Sequence, residues 1–170
     1  SHVRRGVETW SQEAFEARYG VPFTSFANGV DPKEWNFEKP AAADDIVRVR
    51  YAGWLADNMG VASMQAIAAS VERLAKKNIP IAFEIGTRPH LIPRFKDRFA
   101  LFERTSFQPM ELPPADYRRW LRGADISVIC YNFDETSKAY VRYSVANKLP
   151  ECLASGAALL TVGPKDVATM

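Results

Sequence analysis

Lys148 and Glu151 stand three positions apart within Tyr143–Pro164, YSVANKLPECLASGAALLTVGP. Both sit at the entrance of the helix that this stretch predicts. The stretch predicts loop, helix, tight turn and strand. Asn147 is a candidate N-cap, and Pro150 is tolerated because first-turn N–H groups have no intrahelical partner. Gly156 supplies the left-handed residue that stops the helix, and Ala157–Val162 is a continuous apolar run. A polar loop feeding a helix start offers free N–H groups and the positive end of the dipole to a phosphate. A carboxylate one turn in accepts hydrogen bonds from a sugar diol. Cation, helix start and carboxylate together suit a nucleotide sugar. Taken alone, an ordinary amphipathic helix explains the same residues equally well.

The chain that must position them has 170 residues, enough for one domain with a real core and not comfortably two. Apolar content of 47% and charged content of 25% are ordinary for a globular protein. A net charge of +2 gives no electrostatic case for nucleic acid. No apolar run approaches the length of about 18 residues that a spanning helix needs. No signal peptide is visible, and Ser1-His2 reads as a tag scar. Two cysteines, Cys130 and Cys152, make no disulfide framework and read as buried reduced thiols of a cytosolic protein.

Strand and helix signals alternate along most of the chain, which predicts an α/β fold with a parallel sheet. Val7–Tyr19 reads as a helix stopped by Gly20, and Asn28-Gly29-Val30-Asp31 as a turn with positive φ at Asn28 and Gly29. Phe37–Asp45 reads as a linker. Strands are expected at Ile46–Ala52, Ile81–Ile85, Leu101–Phe107 and Ile126–Tyr131, with helices at Val61–Lys77, Leu91–Phe99 and from Pro113-Pro114 to Gly123. In the last of these helices Tyr117, Trp120 and Leu121 form the apolar side. Asn132–Ala146 reads as a polar loop, whose Lys138 and Arg142 are candidate phosphate cations. In a parallel sheet ligands bind outside the C-terminal ends of the strands. Gly53, Gly86, Tyr131 and the start of the Lys148–Glu151 helix all fall at such ends.

The segment N-K-L-P-E-C-L-A-S-G-A-A-L-L resembles the donor site of GT-B glycosyltransferases, the retaining group-1 (GT4-like) enzymes above all, with Lys148, Glu151, Ala154 and Gly156 matching. Asn28-Gly29-Val30-Asp31 resembles the junction between their acceptor and donor domains. The resemblance implies a Rossmann-like three-layer sandwich with a parallel sheet, one half of a GT-B fold. It divides the chain into 1–27, the terminal helix and strand of an acceptor-side domain, 28–45, a linker, and 46–170, a donor domain truncated at its C-terminus. The implied activity is transfer of a sugar from a UDP- or GDP-type donor to a glycan, lipid or other acceptor bound by the missing domain. The fragment alone is expected to be inactive.

By the same resemblance Lys148 and Glu151 carry the chemistry, Lys148 on the diphosphate and Glu151 on the ribose. Gly53, Trp54, Met110, Tyr131, Tyr143, Ser144 and Asn147 complete the expected donor contacts. Met110 would cover the base, while Tyr143 and Ser144 would lie near the sugar or phosphate. The sequence departs from the family at three places: Tyr143 stands where a further Glu is usual, Trp54 where an Arg is, and Met59 where a Lys is. No cofactor and no metal are expected, since side chains and helix dipole replace the ion. His90 lacks a second ligand at metal spacing. The expected location is the cytoplasm, with peripheral association of the full-length enzyme at the inner face of the membrane as an option. Two other readings remain open, a UDP-sugar epimerase-like GT-B enzyme and a non-catalytic nucleotide-sugar-binding module.

Overall fold

β-Branched and aromatic runs bounded by Gly and Pro become five strands, β1 (Val47–Ala52), β2 (Ile81–Thr87), β3 (Thr105–Pro109), β4 (Ile126–Cys130) and β5 (Ala158–Val162). All neighbours pair in parallel, in the order β3-β2-β1-β4-β5. The computed structural model describes residues 12–24, 28–41, 44–141 and 145–164. The helical segments are α1 (12–19), α2 (Val61–Ala75), α3 (Ile92–Phe95, flanked by 3-10 turns), α4 (Pro114–Arg122), α5 (Glu135–Val141) and α6 (Leu149–Ala154). This is the expected α/β sandwich, built around an all-parallel sheet.

Period-two alternation divides the strand side chains between two layers of helix. Val49, Phe83, Ile85, Val128 and Cys130 pack against Met64, Ile67, Ala68 and Val71 of α2 and against Leu91, Phe95 and Phe99. On the other face Ala52 meets Leu121 and Trp35, while Ile129 and Tyr131 meet Val141 and Cys152. That second face also holds an ion pair inside the layer. Arg50 and Glu84 stand opposite each other in the β1–β2 register, with Nε 2.6 Å from the carboxylate. The guanidinium also donates to the Trp120 carbonyl and lies 4.8 Å from the centre of the Trp120 ring. Only 10% of the Arg50 side chain is exposed, so removing Glu84 alone would strand a buried charge.

Four local expectations are corrected. The third strand begins at Thr105, not Leu101, because pairing with β2 starts at Phe83↔Thr105 and Leu101 projects from a turn at 90% exposure. Part of the expected polar loop is α5. Asp134 caps it by accepting from the Ser137 N–H (2.9 Å) and hydroxyl (2.7 Å), and the hydroxyl bond above all holds the Asp134 carboxyl below its ordinary range. Gly29 does not take a positive φ; among the described residues positive φ occurs at Gly20, Asn78 and Gly156. Leu91–Phe99 alternates 3-10 and α turns instead of forming one helix. Of the expected first helix, residues 7–11 lie outside the described residues.

Phe83 is fully buried in the middle of the sheet. Phe83→Ala should therefore cost about 3–5 kcal/mol, the scale of a large aromatic deletion in a core. Denaturant unfolding checks this, and a loss below about 1 kcal/mol would contradict the packing.

A second test concerns acid. Asp125 at the start of β4 accepts from Lys39 (2.7 Å) and from the Arg48 N–H (2.8 Å), and these bonds, Lys39 first, hold its carboxyl below the usual range. A depressed folded-state pKa gives stability that is present above the unfolded value, near 3.9, and is lost as pH falls through the folded one. Asp125→Asn should lack that component, so its unfolding midpoint should fall less steeply than wild type between about pH 5 and 2. Parallel acid limbs would contradict the assignment.

Candidate functional site

The order β3-β2-β1-β4-β5 reverses direction between β1 and β4, so the crevice opens beyond Gly53 and Tyr131. Each helix following a strand starts at this same edge. α4 begins at Pro114, with Pro113 at its N-cap position, and its first turn carries Tyr117. α6 begins at Leu149, with Lys148 at its N-cap position and Glu151 in its first turn.

These three side chains meet. The Tyr117 hydroxyl donates to Glu151 Oε2 at 2.7 Å, and Lys148 Nζ donates to the same oxygen at 3.0 Å. Lys148 Nζ also lies 3.3 Å from the Tyr117 hydroxyl and 4.9 Å from its ring centre. Burial, then the bond to Glu151, pushes the Tyr117 phenol well above its ordinary range, so it stays a donor at neutral pH. The cluster is half-open: 42% of the Lys148 side chain and 27% of that of Glu151 remain exposed. The arrangement presents a carboxylate that can accept from a diol beside a cation that can meet a phosphate. α6 is only six residues long with Pro150 in its first turn, so its backbone offers few donors beside the Lys148 ammonium.

The loop beneath the crevice is pinned by Asn132. Its Oδ1 accepts from the Ala62 and Ser63 N–H groups at 3.1 and 3.3 Å, closing the start of α2, and its Nδ2 donates to the Asp57 carbonyl at 2.9 Å. Ser137 Oγ donates to the Asn58 carbonyl at 2.8 Å. Two amides at the start of α2, those of Ala62 and Ser63, are therefore already partnered from within the protein.

The remaining expected contacts are dispersed. Gly53 lies under Tyr51: a Cβ there would stand 2.7 Å from the Tyr51 hydroxyl, which donates to the Trp54 carbonyl. Trp54 is 51% exposed and stands edge-on to His90 with ring centres 5.6 Å apart. Met110 closes with Trp120 over Gly86, where a Cβ would come within 2.8 Å of the indole. Tyr131 is buried against Ile129, Val141 and Cys152. Asn147 does not cap α6: its Oδ1 instead accepts from Asn28 Nδ2 at 2.7 Å, joining residue 28 to the loop before α6. A short side chain one position early cannot reach the first-turn amides when Lys148 takes the N-cap position. Tyr143, Ser144 and Arg142 lie outside the described residues. Lys138 pairs with Glu135 at 2.7 Å.

Sequence reasoning placed Tyr117 in the core only. Its position in the first turn of a helix that starts at the ligand edge was the available signal. Asn132 had the same kind of signal, standing just after β4. Thiol nucleophiles are disfavoured, since burial pushes Cys130 up to about 12 and Cys152 up to about 11. Among the described residues no group of three or more His, Cys, Asp or Glu could hold a metal ion, and no helix is long and apolar enough to cross a membrane. A cleft of about 580 Å³ runs along α4 toward the N-terminal ends of the strands. Its cations Lys39, Arg48, Arg50 and Arg119 are already matched with Asp125, Asp44, Glu84 and Asp116, so it offers little to an anion.

No family model and no curated protein matches this sequence. Solved structures do match. A trehalose-6-phosphate synthase studied with bisubstrate glycomimetics aligns with a TM-score of 0.59 at 12% identity over 89% of this chain and 39% of its own. The E. coli enzyme bound with UDP-2-fluoro glucose aligns at 0.58 with 11% identity, and apo OtsA at 0.58 with 12%, each over 88% of this chain and 39% of its own. These neighbours are GT-B glycosyltransferases, and the chain has the fold of part of them. It spans about two fifths of their length.

The Asn132 contacts predict a specific cost. Asn132→Ala removes the cap of α2 and the tether to Asp57 together, and should destabilise by about 1–3 kcal/mol. Unfolding that matches wild type would show that the loop is held by other means.

Proposed function

We propose that this chain is the donor-binding domain of a glycosyltransferase and takes a nucleoside diphosphate sugar of UDP or GDP type. The observation that carries the reading is the Glu151–Lys148 cluster at the strand C-terminal edge of a GT-B-like sheet. Glu151 accepts from the ribose hydroxyls. Lys148 leaves its pair with Glu151 to neutralise the diphosphate and stabilise it as a leaving group. In this reading Trp54 and Met110 are further donor contacts, reached from the ends of β1 and β3. That a neighbour with this fold binds a UDP-sugar analogue supports the choice of donor class.

In the same reading residues 1–27 end an acceptor-side domain, 28–45 link the two, and 46–170 form the donor domain. The acceptor, a glycan or lipid-linked sugar, occupies the other domain, and the enzyme works in the cytoplasm without a bound metal. Catalysis then needs both domains, because orienting two reactants supplies on the order of 7–11 kcal/mol of barrier reduction. A second reading, a module that binds the donor without turnover, is favoured by Trp54 and Met59 at positions where the resemblance expects cations.

Glu151→Ala should weaken UDP or GDP binding by about 1.5–3 kcal/mol, the scale of hydrogen bonds to a charged group. Titration calorimetry on the full chain reads this directly. Unchanged affinity for both nucleotides would remove Glu151 from the site and with it the main support for the reading.

A further inference from the structure

We infer that Tyr117 is the positioning residue of this site, setting the orientation of both Glu151 and Lys148 and so the discrimination between ribose and deoxyribose. The inference rests on the reading of Glu151 as the ribose acceptor. Three observations carry it. The Tyr117 hydroxyl and the Lys148 ammonium converge on one carboxylate oxygen, Oε2, at 2.7 and 3.0 Å. That convergence fixes the plane of the carboxylate and leaves Oε1 without a bond among the described residues. Second, the ammonium lies near the phenol ring, 4.9 Å from its centre, so the same side chain that orients the carboxylate also holds the cation beside it. Third, Tyr117 is itself held, packed against the buried cluster of Trp35, Ala52 and Leu121.

A phenol suits this position for a chemical reason. It donates one proton to the carboxylate and still has an acceptor lone pair 3.3 Å from Lys148 Nζ. A purely apolar ring would hold the cation but let the carboxylate rotate. When a nucleotide arrives and Lys148 turns to the phosphate, the Tyr117 bond remains as the restraint on Glu151. Ribose hydroxyls then meet an acceptor already held in place, which reduces the ordering cost of binding.

Tyr117→Phe isolates the hydroxyl, because the ring and its packing are kept. The test is calorimetry of the full chain with UDP and GDP, each beside its 2′-deoxy and 3′-deoxy counterparts, for wild type, Tyr117→Phe and Glu151→Ala. Thermal unfolding is followed in parallel. The expected result is that Glu151→Ala abolishes the preference for ribose, while Tyr117→Phe lowers it about three- to tenfold, the scale of one hydrogen bond. The melting temperature of Tyr117→Phe should stay near that of wild type. Full ribose preference in Tyr117→Phe, with preference lost in Glu151→Ala, would make Tyr117 a packing residue only and overturn the inference while leaving the donor site standing. Absent nucleotide binding in wild type, or a preference untouched by Glu151→Ala, would overturn the donor-site reading and this inference with it.

Discussion

Parallel pairing of β1 with both β2 and β4 is the constraint on which the rest of this structure depends. A parallel neighbour cannot be reached by a tight turn, so each connection must run back across a face of the sheet. All strand ends of one polarity, and the first turns of the helices that follow them, therefore gather along one edge. Tyr117 and Glu151 lie 34 positions apart in the chain, yet both sit in first turns at that edge and share a hydrogen bond. Gly53, Trp54 and Asn132 reach the same edge from β1 and β4. The site follows from the topology, and the side chains only choose its chemistry.

That edge is stiffened from below. Asn132 uses both ends of its amide to tie the loop after β1 to the start of α2. Arg50 and Glu84 lock β1 to β2 on the face that carries α4, and the Trp120 carbonyl and ring complete the surroundings of the guanidinium. Gly123 ends α4 where a Cβ would strike the same guanidinium at 2.7 Å. These buried polar links are satisfied only in this packing, which makes them specific more than strongly stabilising. They fix the axis of α4, and so the place from which Tyr117 reaches Glu151.

Where one physical signal dominated, the sequence was easily read. The β-branched runs of β1, β2 and β4 and the helical period of α2 gave both element type and parallel pairing. Lys148 and Glu151 were legible as candidate contacts from their place at a helix entrance, whereas their pairing with each other emerges only in the structure. Competing signals explain the misses. Leu101 looked like the start of β3, but strand pairing, not hydrophobicity, decides where a strand begins. Asp134 and Ser137 carried a capping pattern that the surrounding charge obscured. Asn147 was the better N-cap by residue type, yet the chain starts α6 one position later and turns Asn147 toward Asn28. The contact of Tyr117 with Glu151 was hidden because a phenol on an apolar helix face reads as core until tertiary structure shows what its hydroxyl meets.

If a nucleotide sugar binds at the strand C-terminal edge, backbone amide resonances locate it. Titrating isotope-labelled protein with UDP-glucose and GDP-mannose should shift amides around Gly53, His90, Tyr117, Asn132 and Lys148–Glu151, with little change around Lys39, Arg48 and Arg119. Shifts centred on that second group would place the ligand in the cleft along α4, and a spectrum unmoved by either donor would mean that this fold is not used to bind one.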